Sequence, residues 1–252
     1  MAQGRLFLVP TPLDFGCAEA VPLAQVLPAG TLDAAARLTH WVCENAKSAR
    51  AFLKRVGEVQ PLAAPLQQQS LVELPRAVHK KGDHGPGAFD ARGLLAPALQ
   101  GHNLGLLSEA GMPAVADPGA SVVRAAHELG IGVVPLVGPV SLLLTLAASG
   151  LNGQNFAFVG YLPQEAAART QRLRELEALA LRTGQTQLFI ETPYRNVALW
   201  QAMLQALKPG TRVAFASGLT LPSAQCLSAS VSAWKQRGTP VGDQPAVFAI
   251  GA

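Results

Sequence analysis

The chain has 252 residues, of which 49% are hydrophobic and 14% charged, and its formal net charge is +4. This is ample apolar material for a large core. It excludes a disordered chain and a dense polycation that grips nucleic acid by charge alone. The 3 cysteines, Cys17, Cys43 and Cys226, have no metal or redox spacing, and so sparse and odd a count suits a reducing compartment.

In chain order, the opening MAQGRLFLVP lacks the apolar core of a signal peptide, and Arg5–Val9 reads as a first strand stopped by Pro-Thr-Pro. Ala18–Leu27 is a helix candidate with Pro22 in its first turn. Arg37–Cys43 alternates like a strand. Lys47–Val56 has helical spacing, with Gly57 placed to end it. Gln60–Gly87 is loop-rich with one strand near Leu71–Leu74. Its basic tract Arg76–His84 reads as a solvated loop. Ala91–Leu99 is a short helix interrupted by Pro97.

Leu104–Leu107 is an apolar run that reads as a buried strand. The small-residue loop Ser108–Gly119, the amphipathic run Ala120–Leu129 and a second apolar run, Gly132–Val137, complete a βαβ unit. The most apolar stretch, Leu136–Leu151, contains Pro139 and falls short of the roughly 18–20 residues of a spanning helix. It reads as a buried helix, Val140–Ser149, and the protein as cytoplasmic. Strands at Phe156–Val159, Gln187–Ile190, Arg212–Ala216, Ser223–Val231 and Ala246–Ile250 follow, with helices at Ala166–Leu181 and Val197–Leu207 and a loop at Arg237–Gln244. The alternation predicts an α/β fold, with a domain boundary between residues 137 and 138, so that 1–137 and 138–252 form two domains.

Phosphate-cradling glycine loops and Walker sequences are absent, so a dinucleotide or nucleoside triphosphate is not expected. His40, His79, His84, His102 and His127 have no ligand spacing, and no metal is expected. Ser108 and Ser121 read as polar loop and cap residues rather than nucleophiles. Ligands of open parallel sheets lie where loops leave the carboxyl ends of strands. The Ser108–Gly119 loop, with acids Glu109 and Asp117, is therefore either a ligand loop or a tight connection with Asp117 or a neighbour capping the next helix. Glu191-Thr192-Pro193-Tyr194-Arg195 is either a polar ligand site or a Pro-Tyr turn with a surface ion pair.

LVPTPL (Leu8–Leu13), LLSEAGMPAVADPG (Leu106–Gly119), VVPLVGP (Val133–Pro139), FAFVGYLP (Phe156–Pro163) and LFIETPYRN (Leu188–Asn196) occur in that order. Together they resemble the tetrapyrrole-methylase superfamily of methyltransferases, and within it the small-subunit rRNA ribose 2′-O-methyltransferase branch. The resemblance implies a two-domain fold with a mainly parallel first sheet and a mixed second one. It also implies S-adenosylmethionine in the cleft between the domains, a homodimer, and an rRNA or ribosomal-subunit partner. By position, cofactor contacts fall on Leu13, Ser108, Ala110, Gly111, Met112, Val115, Val140, Ser141 and Glu191, and the catalytic candidates are Glu191, Arg195 and Glu44.

The chain departs from the branch in three places. The acidic Asp-Thr-Arg segment reads Cys43–Lys47 (CENAK), the Thr of Ser-Asp-Ala-Gly-Thr-Pro becomes Met112, and Arg-Glu-Leu-Thr-Lys becomes Ser217–Leu221 (SGLTL). The charges missing from the last segment leave two alternatives open: a non-catalytic cofactor-binding paralogue, and a methyltransferase with another acceptor. The Pro10–Phe15 loop lacks the glycines typical of tetrapyrrole-acceptor enzymes.

Overall fold

The computed structural model describes residues 3–75, 77–78, 83, 85 and 89–252, and the chain divides into two compact units. The first comprises Met1–Phe15 and Val21–Pro139. Its strands are β1 (Leu6–Leu8), β2 (His40–Cys43), β3 (Ser70–Glu73), β4 (Leu104–Leu107) and β5 (Val133–Pro135), in the order β3-β2-β4-β1-β5. Every pairing is parallel. β4 is central and wholly buried, which is why it reads as an unbroken apolar run.

Among the described residues, the helices of this unit include α1 (Leu23–Val26), α2 (Ala29–Arg37), α3 (Ala46–Val59), α4 (Ala96–Leu99) and α5 (Ala120–Glu128). α2 and α3 bury Leu32, Ala35, Phe52, Leu53 and Val56 with Trp41 in one core layer, and α5 buries Val122 and Ala126 with Leu6, Val42 and Leu106 in another. Gly105 is required by packing: a Cβ there would lie 2.3 Å from the Trp41 indole.

The second unit comprises Gly16–Ala20 and Val140–Ala252. Its strands β6 (Phe156–Tyr161), β7 (Thr186–Glu191), β8 (Arg212–Ser217), β9 (Gln225–Ser230) and β10 (Ala246–Gly251) run in the order β6-β7-β10-β8-β9. β6 and β7 are parallel and the remaining pairs antiparallel, so the sheet is mixed. The registers align Phe189, Phe248 and Phe215 across three strands. These rings meet α7 (Ala166–Thr183), α8 (Asn196–Ala206) and α9 (Val231–Arg237) around Trp200 and Trp234, whose centroids stand 5.1 Å apart edge-on. The opposite face takes Leu142 and Leu146 of α6 (Ser141–Ser149) against Leu188, Ala214, Val247 and Ala249. Within this unit the Ser223 hydroxyl donates to Glu19 at 2.9 Å, tying Gly16–Ala20 to the turn after β8.

Both sheets agree with the expected parallel-then-mixed architecture, but several local expectations fail. The Ala18–Leu27 helix is reduced to α1, because Pro22 sets its N-cap and Pro28 caps the next helix. That next helix, α2, continues through Arg37, so β2 starts only at His40. Gly57 does not end α3, which runs on to Val59; the glycine costs about 1 kcal/mol there, and the amphipathic face outweighs it.

Pro97 opens α4 instead of interrupting a helix, after a 3-10 turn at Arg92–Leu95. The strand expected over Gly132–Val137 is only Val133–Pro135. The helix read as buried, α6, is buried on one side only: Leu143 is 51% and Leu144 38% exposed. The strand expected over Ser223–Val231 stops at Ser230, whose side chain accepts from the Ala233 N–H and starts α9 where strand and loop were expected. In the Arg76–His84 tract, residues 76, 79–82 and 84 lie outside the described residues, as does His79. The described Val78 and Asp83 are buried, not solvated.

Candidate functional site

In the first unit the Ser108–Gly119 loop leaves the carboxyl end of β4 and is held by main chain. Gly111 pairs with Thr11 in an antiparallel bridge, with N–H···O distances of 2.9 and 3.1 Å in the two directions. Gly111 has φ +73°, and a Cβ there would meet Leu13 Cδ2 at 3.1 Å and the Pro139 carbonyl at 3.4 Å. Larger side chains are therefore excluded both by conformation and by space. Ala114 and Ala116 also take positive φ, 65° and 64°. The family resemblance puts Leu13, Ser108, Ala110, Gly111, Met112 and Val115 in one group. The fold brings Leu13 to the Gly111 turn, Ser108 is buried with its hydroxyl on the Ala110 carbonyl at 3.4 Å, and Val115 is 41% exposed.

Glu44, at the carboxyl end of β2, joins the same place. Its Oε2 accepts the Glu109 N–H at 3.3 Å, and the Ser48 hydroxyl donates to Glu109 at 3.4 Å. Asp117 completes a group of three carboxylates. Burial, followed by the repulsion of Glu44 and Glu109, pushes the Asp117 carboxyl up to about 7, against a smaller opposing effect of its hydrogen bond with Ser108. Burial and the carboxylates of Glu73 and Glu44 push the neighbouring Cys43 thiol up to about 12, so this cysteine is not a nucleophile.

Asp117 does not cap α5. The N-cap is Gly119 with φ +135°, and the cap is supplied by Asp83, whose carboxylate accepts from Gly119 N–H at 2.9 Å, Ser121 N–H at 3.0 Å and the Ser121 hydroxyl at 2.5 Å. Burial raises the Asp83 pKa, but the hydrogen bonds from Ser121, Gly119 and Ala120 outweigh it and hold the carboxyl below its ordinary range. Asp83 is thus a missed structural residue of the loop. Ser121 is, as expected, a cap-region residue.

In the second unit, Val140 is the N-cap of α6 and Ser141 its first residue, and the helix packs on the Leu188 face of the sheet. Glu191 ends β7 in register with Ala246, on the alternate face with Phe189. Its side chain is 0% exposed. Oε1 accepts from Arg195 Nε at 3.0 Å and Nη2 at 2.5 Å, and from the Thr192 N–H at 2.7 Å. Oε2 is buried with no hydrogen-bond partner. The ion pair expected at the surface is therefore buried. The Arg195 guanidinium also stands 5.6 Å from the ring centroid of Tyr194, which is 79% exposed. Among the described residues, no group of three or more His, Cys, Asp or Glu side chains is arranged to hold a metal ion.

No protein-family model matches the chain. Among curated proteins it is similar to the ribosomal RNA small subunit methyltransferase I of Escherichia coli O157:H7, 30% identical over 243 residues covering 96% of this chain and 71% of that protein. The protein of the same name from Mesorhizobium japonicum is 32% identical over 86% of this chain and 64% of its own length. That of Vibrio cholerae is 36% identical over 52% of this chain and 44% of its own length. The matches thus span between 34% and 71% of the relatives' own lengths.

Among solved structures, the methyltransferase CobJ aligns over 98% of this chain and 94% of its own at TM-score 0.56 and 16% identity. The uroporphyrin-III C-methyltransferase of Thermus thermophilus, crystallised with S-adenyl homocysteine, aligns over 98% of this chain and 97% of its own at TM-score 0.55 and 17% identity. These likenesses establish a shared fold.

Proposed function

The chain belongs to the ribosomal RNA small subunit methyltransferase I family, and from that premise we propose that it transfers a methyl group from S-adenosylmethionine to a ribose hydroxyl of small-subunit rRNA. The observation that carries the cofactor reading is the Gly111 turn, a backbone cradle that a Cβ would fill. Main chain of Ala110–Val115 and the Leu13 side chain would hold the donor, and the contacts on Ser108, Val140, Ser141 and Glu191 belong to the same reading. When bound, S-adenosylmethionine supplies an electrophilic methyl on a sulfonium, so the residues mainly position the acceptor in line with it.

A ribose hydroxyl is a poor nucleophile and gains from a base. The Asp117 carboxylate, with its pKa near 7 and with Glu44 beside it, suits a proton taken at neutral pH. Glu191 and Arg195 fit a positioning pair, because the carboxylate is sealed and its charge is matched. We further read the protein as a cytoplasmic homodimer that acts on the ribosomal subunit. The dimer is supported by the outward face of α6, where Leu143, Leu144, Ala147 and Ala148 form an exposed apolar stripe.

The segment Ser217–Leu221 favours a second reading, a non-catalytic cofactor binder. β8 ends at Ser217 and passes through Gly218 (φ +58°) and Thr220 (φ +72°) without a charged side chain.

Calorimetry with S-adenosylmethionine and transfer of radiolabelled methyl to small ribosomal subunits decide between these. Binding with transfer supports the enzyme. Binding without transfer selects the second reading. A dissociation constant weaker than about millimolar sinks both. Light scattering of the full chain tests the dimer, and a monomer mass overturns it.

A further inference from the structure

The large rings of the chain are distributed unevenly. All three tryptophans, Trp41, Trp200 and Trp234, are buried to 2% exposure or less, whereas both tyrosines, Tyr161 and Tyr194, are exposed, at 58% and 79%. The tyrosines also share a location. β6 and β7 are parallel, and Tyr161 ends β6 in register with Ile190, next to the last residue of β7. Tyr194 follows in the 3-10 turn Pro193–Arg195. Both rings therefore stand at one carboxyl-terminal edge of the sheet.

Tyr194 is held from beneath. The buried Glu191 carboxylate fixes the Arg195 guanidinium through two N–H bonds, and the guanidinium lies 5.6 Å from the ring centroid. A desolvated ion pair at the end of a strand thus serves to orient a ring that is itself left in solvent. In the first turn of α7, which follows β6, Arg169 reaches back to the Gln164 carbonyl with Nη1 at 3.2 Å. The nearby Glu165 carboxylate is committed to the Ala167 and Ala168 N–H groups. Exposed rings at one edge of a sheet match the unpaired bases of a single strand.

We propose that Tyr161 and Tyr194 form a base-stacking platform for unpaired nucleotides of the RNA substrate, with Glu191–Arg195 as the pair that orients Tyr194. This rests on the RNA reading given above. It gives the Glu-Thr-Pro-Tyr-Arg turn a role in addition to the cofactor contact proposed for Glu191. Tyr suits the task because its ring stacks on any base and its hydroxyl tolerates water.

The test is fluorescence anisotropy of the full-length chain with a labelled single-stranded RNA oligonucleotide and with the same sequence as a duplex, alongside calorimetry with S-adenosylmethionine. Tyr194→Ala and Tyr161→Ala are each expected to weaken single-strand binding about five- to a hundredfold, with the loss compounding in the double variant. Tyr194→Phe should keep wild-type affinity, because the ring remains. Cofactor affinity and thermal melting should be unchanged in all, and the duplex should bind more weakly than the single strand. Wild-type affinity in the double variant overturns the platform while leaving the RNA methyltransferase reading intact. Failure of the wild-type chain to bind either RNA overturns both. Conversion of a dimer to a monomer by Tyr194→Ala or Tyr161→Ala, with RNA affinity retained, would assign the rings to a second copy of the chain instead.

Discussion

Asp117 and Glu191 are both carboxylates at the carboxyl end of a sheet, and their surroundings oppose each other. Glu191 has a guanidinium, a backbone N–H and a hydroxyl on one oxygen, and its side chain is wholly buried. At Asp117, burial and then two neighbouring carboxylates raise the pKa to about 7. A carboxylate gripped by a guanidinium and a backbone N–H is held in one place. An unmatched one in acidic company exchanges its proton at neutral pH. The second unit thus holds its carboxylate fixed, and the first keeps one whose pKa lies near neutral.

The locked site is the one that should break hardest. Arg195→Met leaves the Glu191 carboxylate buried without its cation, at a cost of about 3–5 kcal/mol. Urea unfolding should show that loss, and a change below about 1 kcal/mol, the scale of an exposed pair, would mean that Glu191 reaches water. The cradle in the first unit should respond in binding before stability. Gly111→Trp places an indole where Cβ already meets Leu13 and the Pro139 carbonyl, and in a positive-φ conformation. Affinity for S-adenosylmethionine should fall by more than about a hundredfold, or roughly 3 kcal/mol, and a folded variant that binds normally would remove the loop from the site.

Next in size is the brace behind that loop. Asp83→Ala deprives two N–H groups and the Ser121 hydroxyl of their acceptor. A loss of about 1–3 kcal/mol is expected. Amide exchange should localise it to the first turn of α5, and protection equal to wild type at Ser121 would show that the cap is replaced by solvent.

How much of this was legible in the sequence depended on the range of the interaction. β4 was readable to the residue, because a strand buried on both faces is a continuous apolar run bounded by polar residues. α2 is hard to read because its buried face, Thr31, Leu32, Ala35 and Ala36, is made mostly of small residues, and its N-cap is Pro28, with no side-chain cap to mark its start. The backbone cradle could be anticipated from Gly and Pro spacing. The Asp83 cap could not, since it lies 36 residues from Gly119 in the chain. The same holds for the acid group, where Glu44 and Glu109 are 65 residues apart. Local chemistry is written locally, whereas electrostatic company is decided by which strands the topology places side by side.

The smallest effect is also the most diagnostic of that company. With a folded pKa near 7 against an ordinary value of 3.8, Asp117 binds its proton more tightly in the folded chain than in the unfolded one. The stability this contributes is complete below about pH 3.8, declines as pH rises, and has gone above about pH 7. Asn cannot ionise, so Asp117→Asn should gain on wild type between pH 5 and pH 7 and hold a constant margin from pH 7.5 upward. Because the side chain is partly exposed, solvent screening limits the change in margin to on the order of 1–2 kcal/mol. Urea midpoints at pH 5 and pH 8 measure it. If the two proteins run parallel across that interval, the three carboxylates do not repel one another, and the contrast with Glu191 collapses. If the margin opens and then narrows when Glu44→Gln is added, the repulsion is assigned to that pair, and the proton at Asp117 becomes the one to follow in the methyl transfer proposed above.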